Sequence, residues 1–191
     1  MDCCNSQSLG EHLREEITAS EIVYAGRVLT VRLDTVRLPD GTMSIREVIV
    51  HPGAVAIVPM LDETHVLFVR QWRNAAGGAL LEIPAGGMEA GETPEECAVR
   101  ELMEEIGYRP RKLLPLQSIY LAPGYSSELL RLFLATDLAP ERRPHDVDER
   151  LEVVTLCWEE IDGCLRRGEF RDAKTISALL LAQRTLQGSD K

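Results

Sequence analysis

Residues 86–108 read GGMEAGETPEECAVRELMEEIGY, which is a glycine-rich loop followed by the start and stop signals of a helix. Thr93 fits the N-cap, Pro94 fits the first helical position, and Glu96 completes a Thr-x-x-Glu capping box. Gly107 is the type of residue that ends a helix. The stretch therefore predicts a loop that passes directly into a helix, and the helix is expected to end at Gly107.

The predicted helix carries three glutamates, Glu101, Glu104 and Glu105, at spacings of three and four residues. Such residues project from one face, where like charges destabilise a helix, and Arg100 is the nearby basic residue that offsets them. A bound dication would reverse the sign of the interaction, because Mg²⁺ prefers carboxylate oxygens, waters and substrate phosphates. On composition alone a solvated acidic face is the commoner explanation. It does not account for the order in which the glycines, the Arg-Glu pair and the Glu-Glu pair occur.

That order resembles the signature of the Nudix family, which is Gly, five residues, Glu, seven residues, and then Arg-Glu-apolar-x-Glu-Glu-x-Gly-apolar. The matching positions are Gly86, Glu92, Arg100, Glu101, Leu102, Glu104, Glu105 and Gly107. Tyr108 stands at the last position, where an aliphatic residue is more usual. The resemblance implies an α+β fold, namely a Nudix α/β/α sandwich with a mixed sheet, and the metal-dependent cleavage of a diphosphate.

The resemblance also implies which residues hold the metal, which is expected to be Mg²⁺ with Mn²⁺ as a substitute. The implied ligands are Ala85 through its carbonyl, Glu101, Glu104 and Glu105. Glu104 is alternatively the group that orients the attacking water. Arg100 would orient the carboxylates as part of the catalytic set, and Glu92 would support it through hydrogen bonds. The metals would neutralise the polyanionic diphosphate and lower the pKa of the attacking water.

Segments outside the box resemble the ADP-ribose pyrophosphatase branch of the family. These segments are HPGAVAIVPM (51–60), VLFVRQWR (66–73), LLEIPAGGMEAGE (80–92) and YLAPGYSSE (120–128). Pro123 lies 16 residues beyond Gly107, which is typical of hydrolases of ADP-ribose and related nucleoside diphosphate sugars. The resemblance extends from about residue 16 to 187 and implies cleavage of such a small molecule, with AMP and ribose 5-phosphate as the products from ADP-ribose.

The same branch implies a set of substrate-binding residues. They are Arg46, Arg73, Glu82, Pro123, Ser126 and Glu128. Arg73 and Glu82 would contact the phosphates or terminal ribose and the adenine, and the planar guanidinium of Arg46 would stack on the adenine. The alternative for each arginine is a surface ion pair. Trp72 is expected in a core or an interface rather than as a stacking platform.

The general base is expected on the loop that precedes the last strand, HDVDERLEV (145–153). Glutamate is the usual residue in this branch, so Glu149 is the first choice over Asp146 and Asp148. A plain solvated acidic loop is the alternative for this segment. In that case Glu104, which already lies at the metal, would take the proton.

The rest of the chain predicts strands before and after the box helix, and helices at the end. Residues 1–18 are polar, and 21–50 form a hairpin around the turn Pro39-Asp40-Gly41. Further strands are predicted at 54–59, 65–69, 114–121, 129–136 and 151–157, and helices at 159–167 and 173–186. This order favours α+β with a mixed sheet. We expect a domain of residues 1–50, with a small antiparallel sheet on the dimerisation and adenine side, and a catalytic domain of residues 51–191.

Composition limits the partners. A formal net charge of −10 argues against a partner held by non-specific phosphate contacts, because nucleic-acid binders need a basic surface. No apolar run is long enough for a signal peptide or a membrane span, so we expect a cytoplasmic protein without a membrane partner. The five cysteines are odd in number and show no CxxC spacing, which indicates free thiols, with a disulfide as the alternative. The resemblance implies a homodimer with exchanged N-terminal strands.

Two other functions remain open on the sequence. One is a Nudix hydrolase for another nucleoside diphosphate sugar, such as ADP-glucose or GDP-mannose. The other is a non-catalytic module that senses ADP-ribose and regulates a partner, although such modules commonly lose glutamates of the box and this chain keeps them all. An 8-oxo-dGTP or mRNA-decapping role is less favoured, because those groups lack the Pro123 context and decapping needs a basic groove.

Overall fold

The structure is a computed structural model, and it describes residues 10–144 and 150–188. Some residues singled out in the sequence lie outside these ranges. They are Cys3, Cys4, Asp146, Asp148 and Glu149.

The described residues form strands before and after a first helix, and two more helices follow. The strands are β1 (Glu16–Ala25), β2 (Thr30–Arg37), β3 (Met43–Val50), β4 (Ala54–Pro59), β5 (His65–Arg73), β6 (Gly78–Glu82), β7 (Ala85–Gly87), β8 (Tyr108–Tyr120), β9 (Leu129–Pro140) and β10 (Leu151–Cys157). The helices are α1 (Pro94–Glu105), α2 (Trp158–Arg167) and α3 (Ala173–Gly188). The predicted order of elements is confirmed.

The chain divides into two compact units, and the first contains the residues up to His51 together with Ala122–Glu128. Its sheet is antiparallel in the order β1-β2-β3, and the predicted hairpin is confirmed as β2 and β3. The prediction missed β1, which begins at Glu16, inside the segment expected to be a polar tail. Every residue of β1 is exposed, so the strand lacks the alternation that marks a half-buried strand in a sequence.

The second unit, Pro52–Leu121 with Leu129–Lys191, contains two sheets. One is mixed, in the order β7-β4-β9-β8, with β4 parallel to β9 and antiparallel to β7. The other is antiparallel, in the order β10-β5-β6. The predicted mixed sheet is confirmed. The two prolines of β8, Pro110 and Pro115, are compatible with its place at the edge of the mixed sheet, where a missing N–H is tolerated.

Strand β4 is buried along its whole length because both of its faces carry core. Successive side chains of a strand point to opposite faces. Val55 and Ile57 pack in the cluster that includes Leu102 of α1, whereas Ala56 and Val58 pack in the cluster that includes residues of α2 and α3. Helices therefore cover both sides, which confirms the predicted α/β/α sandwich and places α1 against β4. No helix of the described part is long and apolar enough to span a membrane.

Candidate active site

Helix α1 begins and ends where the sequence predicts. The Thr93 hydroxyl accepts a hydrogen bond from the backbone N–H of Glu96 at 3.2 Å, and the Glu96 carboxylate accepts one from the Thr93 N–H at 2.9 Å. Pro94 is the first helical residue, and Gly107 has φ of 75°, the left-handed conformation that a glycine adopts without strain. These caps fix the register of the helix. They therefore fix which of its residues face the sheet.

The face that α1 turns inwards carries two of the predicted ligands, Glu101 and Glu105, which are 8% and 5% exposed. Oε2 of Glu105 accepts a hydrogen bond from the backbone N–H of Ala85 at 3.2 Å. The Glu101 carboxylate lies so close to Gly86 that a Cβ at that glycine would be 1.9 Å from Oε1. Both carboxylates therefore lie against the same short strand, β7, whose first residue carries the predicted carbonyl ligand.

Arg100 holds three carboxylates of the box at once. Its Nε and Nη2 donate to the two oxygens of Glu92 at 2.8 and 2.9 Å. Nη1 donates to Glu101 at 2.6 Å and to Glu104 at 3.2 Å, and Nη2 also donates to the carbonyl of Gly87 at 3.0 Å. These contacts raise the pKa of Arg100, first through the hydrogen bonds to Glu92. The guanidinium therefore supplies a positive charge to all three carboxylates in the absence of a metal.

Glu92 gives a stability prediction. Hydrogen bonds from Arg100 lower its pKa from 4.5 to about 2, against the opposing effect of burial. A carboxylate whose pKa falls on folding stabilises the fold above its unfolded pKa and loses that contribution as the pH falls through the folded value. We expect Glu92→Gln to be less stable than the parent near neutral pH, and the gap to close between pH 4.5 and about 2. Urea unfolding in a chelator measures the gap, and a constant gap would contradict the assignment.

The donor set fits a divalent cation without forming a complete cage. Among residues 10–144 and 150–188, no group of three or more His, Cys, Asp or Glu side chains is arranged to hold a metal. Mg²⁺ is usually bound by one or two carboxylates together with waters and substrate phosphates, so a full protein cage is not required. Glu101 and Glu105, both buried and both against β7, meet that need.

A second group of predicted residues, Arg73 and Glu82, forms an ion pair in the same unit, and its carboxylate is buried. Glu82 is 1% exposed, and its two oxygens accept from Nε and Nη2 of Arg73, each at 2.8 Å. Lys174 of α3, which the sequence analysis did not single out, also donates to Oε2. Burial by itself raises the pKa of Glu82, but the contacts with Arg73 and Lys174 lower it below the ordinary value. The run DAKT, with an N-cap type residue and a lysine at the start of a predicted helix, was the available signal.

The remaining predicted binding residues belong to the first unit. Arg46 forms an ion pair with Glu15, with Nη2 to Oε1 at 2.6 Å, which is the alternative expected for this arginine. The loop that contains Pro123 and Ser126 runs beside the end of β3, where the Ile49 N–H donates to the Tyr125 carbonyl at 2.7 Å.

The structure also places Glu128, which belongs to the first unit, and Trp72, which belongs to β5. The N–H of Glu128 donates to the Ser126 hydroxyl at 3.2 Å, within the same loop. Trp72 is 65% exposed, so it is not a core residue, and its place in an interface stays a prediction.

The cysteines of the described part are free, as the composition predicts. Cys97 is fully buried in α1, and its Sγ lies 3.4 Å from the carbonyl of Gly87. Burial raises the pKa of its thiol to about 12. A thiol with that pKa stays protonated near neutral pH and is a poor nucleophile. Cys97 therefore packs the back of the box and is no candidate for covalent catalysis.

Known proteins resemble the chain over almost its whole length. A family model described as NUDIX domain matches residues 50–179, and one described as nucleoside diphosphate sugar hydrolase N-terminal domain matches residues 15–49. An ADP-ribose pyrophosphatase of Bacillus subtilis (strain 168) is 39% identical over 173 residues, which are 90% of this chain and 94% of that protein. A methanol dehydrogenase activator of Bacillus methanolicus is 33% identical over 177 residues, 92% of this chain and 96% of that protein.

A solved structure agrees with these relatives. The crystal structure of an ADP compounds hydrolase has a TM-score of 0.83 and 30% sequence identity, and the match covers 92% of this chain and 96% of that one. The likeness extends over the mixed sheet and its helices as well as the box. Since the Nudix model matches more than half of the chain, and the relatives are matched over most of their own length, this chain belongs to the Nudix family of hydrolases.

Proposed function

We propose that this enzyme hydrolyses ADP-ribose, or a closely related nucleoside diphosphate sugar, with Mg²⁺, and that ADP-ribose gives AMP and ribose 5-phosphate. The observation that carries the proposal is the pair of buried carboxylates, Glu101 and Glu105, against the backbone of β7. The printed names of an ADP-ribose pyrophosphatase and an ADP compounds hydrolase among its relatives support the substrate class.

The protein side of the reaction is assigned to five residues. Glu101, Glu105 and the carbonyl of Ala85 bind the metal, and Glu104 binds it or orients the water. Arg100 aligns Glu101 and Glu104 through the hydrogen bonds described above. Held by these groups, Mg²⁺ would supply the positive charge that neutralises the diphosphate and would lower the pKa of the attacking water. Mn²⁺, with similar oxygen ligands, is expected to substitute.

The proton of the attacking water needs an acceptor, and two carboxylates are proposed for it. Glu149 is the first, on the loop that lies outside the described residues. Glu104 is the second; its side chain is 23% exposed at the metal face of α1.

Substrate binding is assigned to the residues that the family resemblance implies. Arg73 binds an anionic oxygen of the substrate, and Glu82, which is nearly inaccessible to solvent, acts by holding Arg73 rather than by reaching the adenine. Arg46 stacks on the adenine after exchanging its contact with Glu15. Residues of the loop 122–128 close on the ligand. They are Pro123, Ser126 and Glu128.

We propose a homodimer whose N-terminal strands are exchanged and help to build the adenine pocket. Support comes from the apolar side chains that the first unit exposes. They are Ile17, Ile22, Val23, Tyr24, Met43 and Ile45, each between 48% and 64% exposed. Contact with a second copy would remove apolar side chains of this kind from water, which is favourable. A monomer at micromolar concentration in sedimentation velocity would contradict the dimer.

We also propose that the protein is cytoplasmic and acts on small molecules alone. The free thiols of Cys97, Cys157 and Cys164 support a reducing compartment. A formal net charge of −10 disfavours binding to nucleic acid or to an anionic membrane surface.

A substrate panel tests the function. The purified protein is incubated with ADP-ribose, ADP-glucose, GDP-mannose and 8-oxo-dGTP, each with Mg²⁺, Mn²⁺ or a chelator, and the nucleoside monophosphate is quantified. The expected result is metal-dependent release of AMP, highest from ADP-ribose. A higher rate with another nucleoside diphosphate sugar would identify that compound, rather than ADP-ribose, as the preferred substrate. No hydrolysis of any compound would favour a non-catalytic regulator, the second candidate, which the name of the methanol dehydrogenase activator among the relatives keeps open.

Gly86 and Gly87 form a matched pair that tests the metal assignment. A Cβ at Gly86 would displace the Glu101 carboxylate, whereas a Cβ at Gly87 would meet nothing within 4 Å. Because the displaced group is the end of a flexible side chain, Gly86→Ala is expected to fold but to need more Mg²⁺ and to lose about tenfold or more in activity. Gly87→Ala is expected to retain the parental rate. Equal activity of the two variants across a Mg²⁺ titration would count against Glu101 as a ligand.

A further inference from the structure

The buried carboxylate of Glu82 contacts two cations, although one would balance its charge. Arg73 donates to both oxygens at 2.8 Å, and Lys174 also donates to Oε2. The side chains of Glu82 and Lys174 are 1% and 11% exposed. Burying charge is unfavourable unless it is paired, so the second cation adds a desolvation penalty that a single ion pair would avoid. Charge balance alone therefore does not explain why Lys174 contacts Glu82.

Lys174 is itself fixed by the start of α3. Its Nζ donates to Oδ2 of Asp172 at 2.8 Å, and the same oxygen accepts from the backbone N–H and the hydroxyl of Thr175 at 3.0 and 2.6 Å. Asp172 thus caps the helix. The Thr175 hydroxyl also accepts from the N–H of Ile83, the residue after Glu82, at 3.0 Å. The contacts close a ring between the end of β6 and the start of α3.

The charges of this ring determine what Arg73 presents to a ligand. Lys174 and Arg73 carry two positive charges, and Glu82 and Asp172 carry two negative charges. Because Lys174 balances one of the two negative charges, Glu82 does not fully neutralise the positive charge of Arg73. Nη1 of Arg73 has no hydrogen-bond partner among the residues that the structure describes, and the side chain is 41% exposed. One guanidinium nitrogen therefore remains for an anionic oxygen, the type of group that arginine binds well.

The charge of Arg73 also interacts with the face of α1 that carries the proposed metal ligands Glu101 and Glu105. The pKa of its guanidinium is raised first by the hydrogen bonds to Glu82, and the charge of Glu105 contributes to the same direction. Glu105 is the carboxylate that lies against Ala85. The guanidinium of Arg73 thus lies within electrostatic range of a proposed metal ligand.

We propose that Lys174, anchored by Asp172, is a positioning residue for the substrate's diphosphate. Lys174 holds the Glu82 carboxylate in place and balances its negative charge. The guanidinium of Arg73 then keeps a fixed orientation, and its positive charge remains available to a phosphate oxygen of a nucleoside diphosphate sugar. The inference rests on the proposed function. Without Lys174, Glu82 would cancel Arg73 and Asp172 would add an unbalanced negative charge, which weakens the attraction for phosphate.

A double-mutant cycle on Lys174 and Arg73 tests the inference, with ADP-ribose as substrate and Mg²⁺ at saturation. Lys174→Met is expected to raise KM about tenfold, as the loss of a supporting contact does. Its kcat should stay within about twofold, because binding of ground state and transition state is weakened alike. Lys174→Arg should restore most of the loss. In the double variant with Arg73→Met, KM should equal that of Arg73→Met alone, since Lys174 acts through Arg73.

Controls separate a positioning role from a structural one. Lys112→Met, on an exposed residue of β8, should leave both constants unchanged. Urea unfolding measures the stability of each variant. If Lys174→Met does not fold, the same double-mutant cycle is measured with Lys174→Gln. A parental KM in Lys174→Met, or a full additional rise of KM on the Arg73→Met background, would overturn the inference. In both cases the parent still cleaves ADP-ribose, whereas failure of the proposed function would appear as no cleavage by the parent.

Discussion

Replacing Glu105 by Gln is expected to lower kcat for AMP release from ADP-ribose by about 10²–10⁴-fold, because a metal ion supplies several kcal/mol of charge stabilisation in the transition state. The amide keeps the shape of the side chain but removes the negative charge. The Glu105 carboxylate is 5% exposed and bonded to the Ala85 N–H, so an amide of equal size fits the same space. Initial rates across a Mg²⁺ titration measure the effect.

The matched control for this variant is Glu95→Gln. Glu95 lies in the first turn of the same helix and is exposed. It should show the parental kcat and the parental response to Mg²⁺. Circular dichroism and urea unfolding should show that both variants are folded like the parent. Full activity of Glu105→Gln would remove Glu105 from the metal site and leave the pair of buried carboxylates without a function.

Arg100→Met is expected to destabilise the metal-free protein by about 3–5 kcal/mol, the range for breaking a buried ion pair by removing one partner. Arg100 is 15% exposed and contacts Glu92, Glu101 and Glu104, whose side chains are 11–23% exposed. Its removal leaves three poorly solvated carboxylates close together. Urea unfolding in a chelator measures the loss. Added Mg²⁺ should stabilise the variant more than it stabilises the parent, because the cation then supplies the missing positive charge.

Two variants show whether the loss comes from the location of the charge. Arg109→Met removes a guanidinium that is 44% exposed and lies 3.7 Å from Glu141, so its effect should be below about 1 kcal/mol. Arg100→Lys keeps the charge but not the planar fork that holds Glu92 through two nitrogens, so it should lie between parent and Arg100→Met. A loss for Arg100→Met as small as that for Arg109→Met would mean that the carboxylates are stabilised by other groups.

The features of the site that the sequence predicted depend on local chemistry. The capping box of Thr93 and Glu96 and the stop at Gly107 act over a few residues, so they are readable without the fold. The helical spacing of Glu101 and Glu105 places them on one face by geometry alone. Burial of that face against β7 then follows from the apolar residues on the same side, such as Leu102.

The features that the sequence did not predict depend on contacts between distant segments. Lys174 contacts Glu82 across 92 positions, and the run DAKT marks the start of a helix without indicating that Glu82 is its partner. Strand β1 has no buried face, so its hydrophobic pattern does not alternate. The β8 strand begins at Tyr108, six residues before the predicted start, because its edge position tolerates Pro110 where a central strand would not.

Arg100 also bears on the order in which the enzyme is assembled. In a structural zinc domain the metal is part of the folding free energy, so removal of the metal unfolds the chain. Here a side chain of the protein already balances Glu92, Glu101 and Glu104. We therefore expect the polypeptide to fold before any cation binds and to keep its fold when the cation is removed. Activity is then expected to depend on the supply of free cation far more steeply than the stability of the fold does.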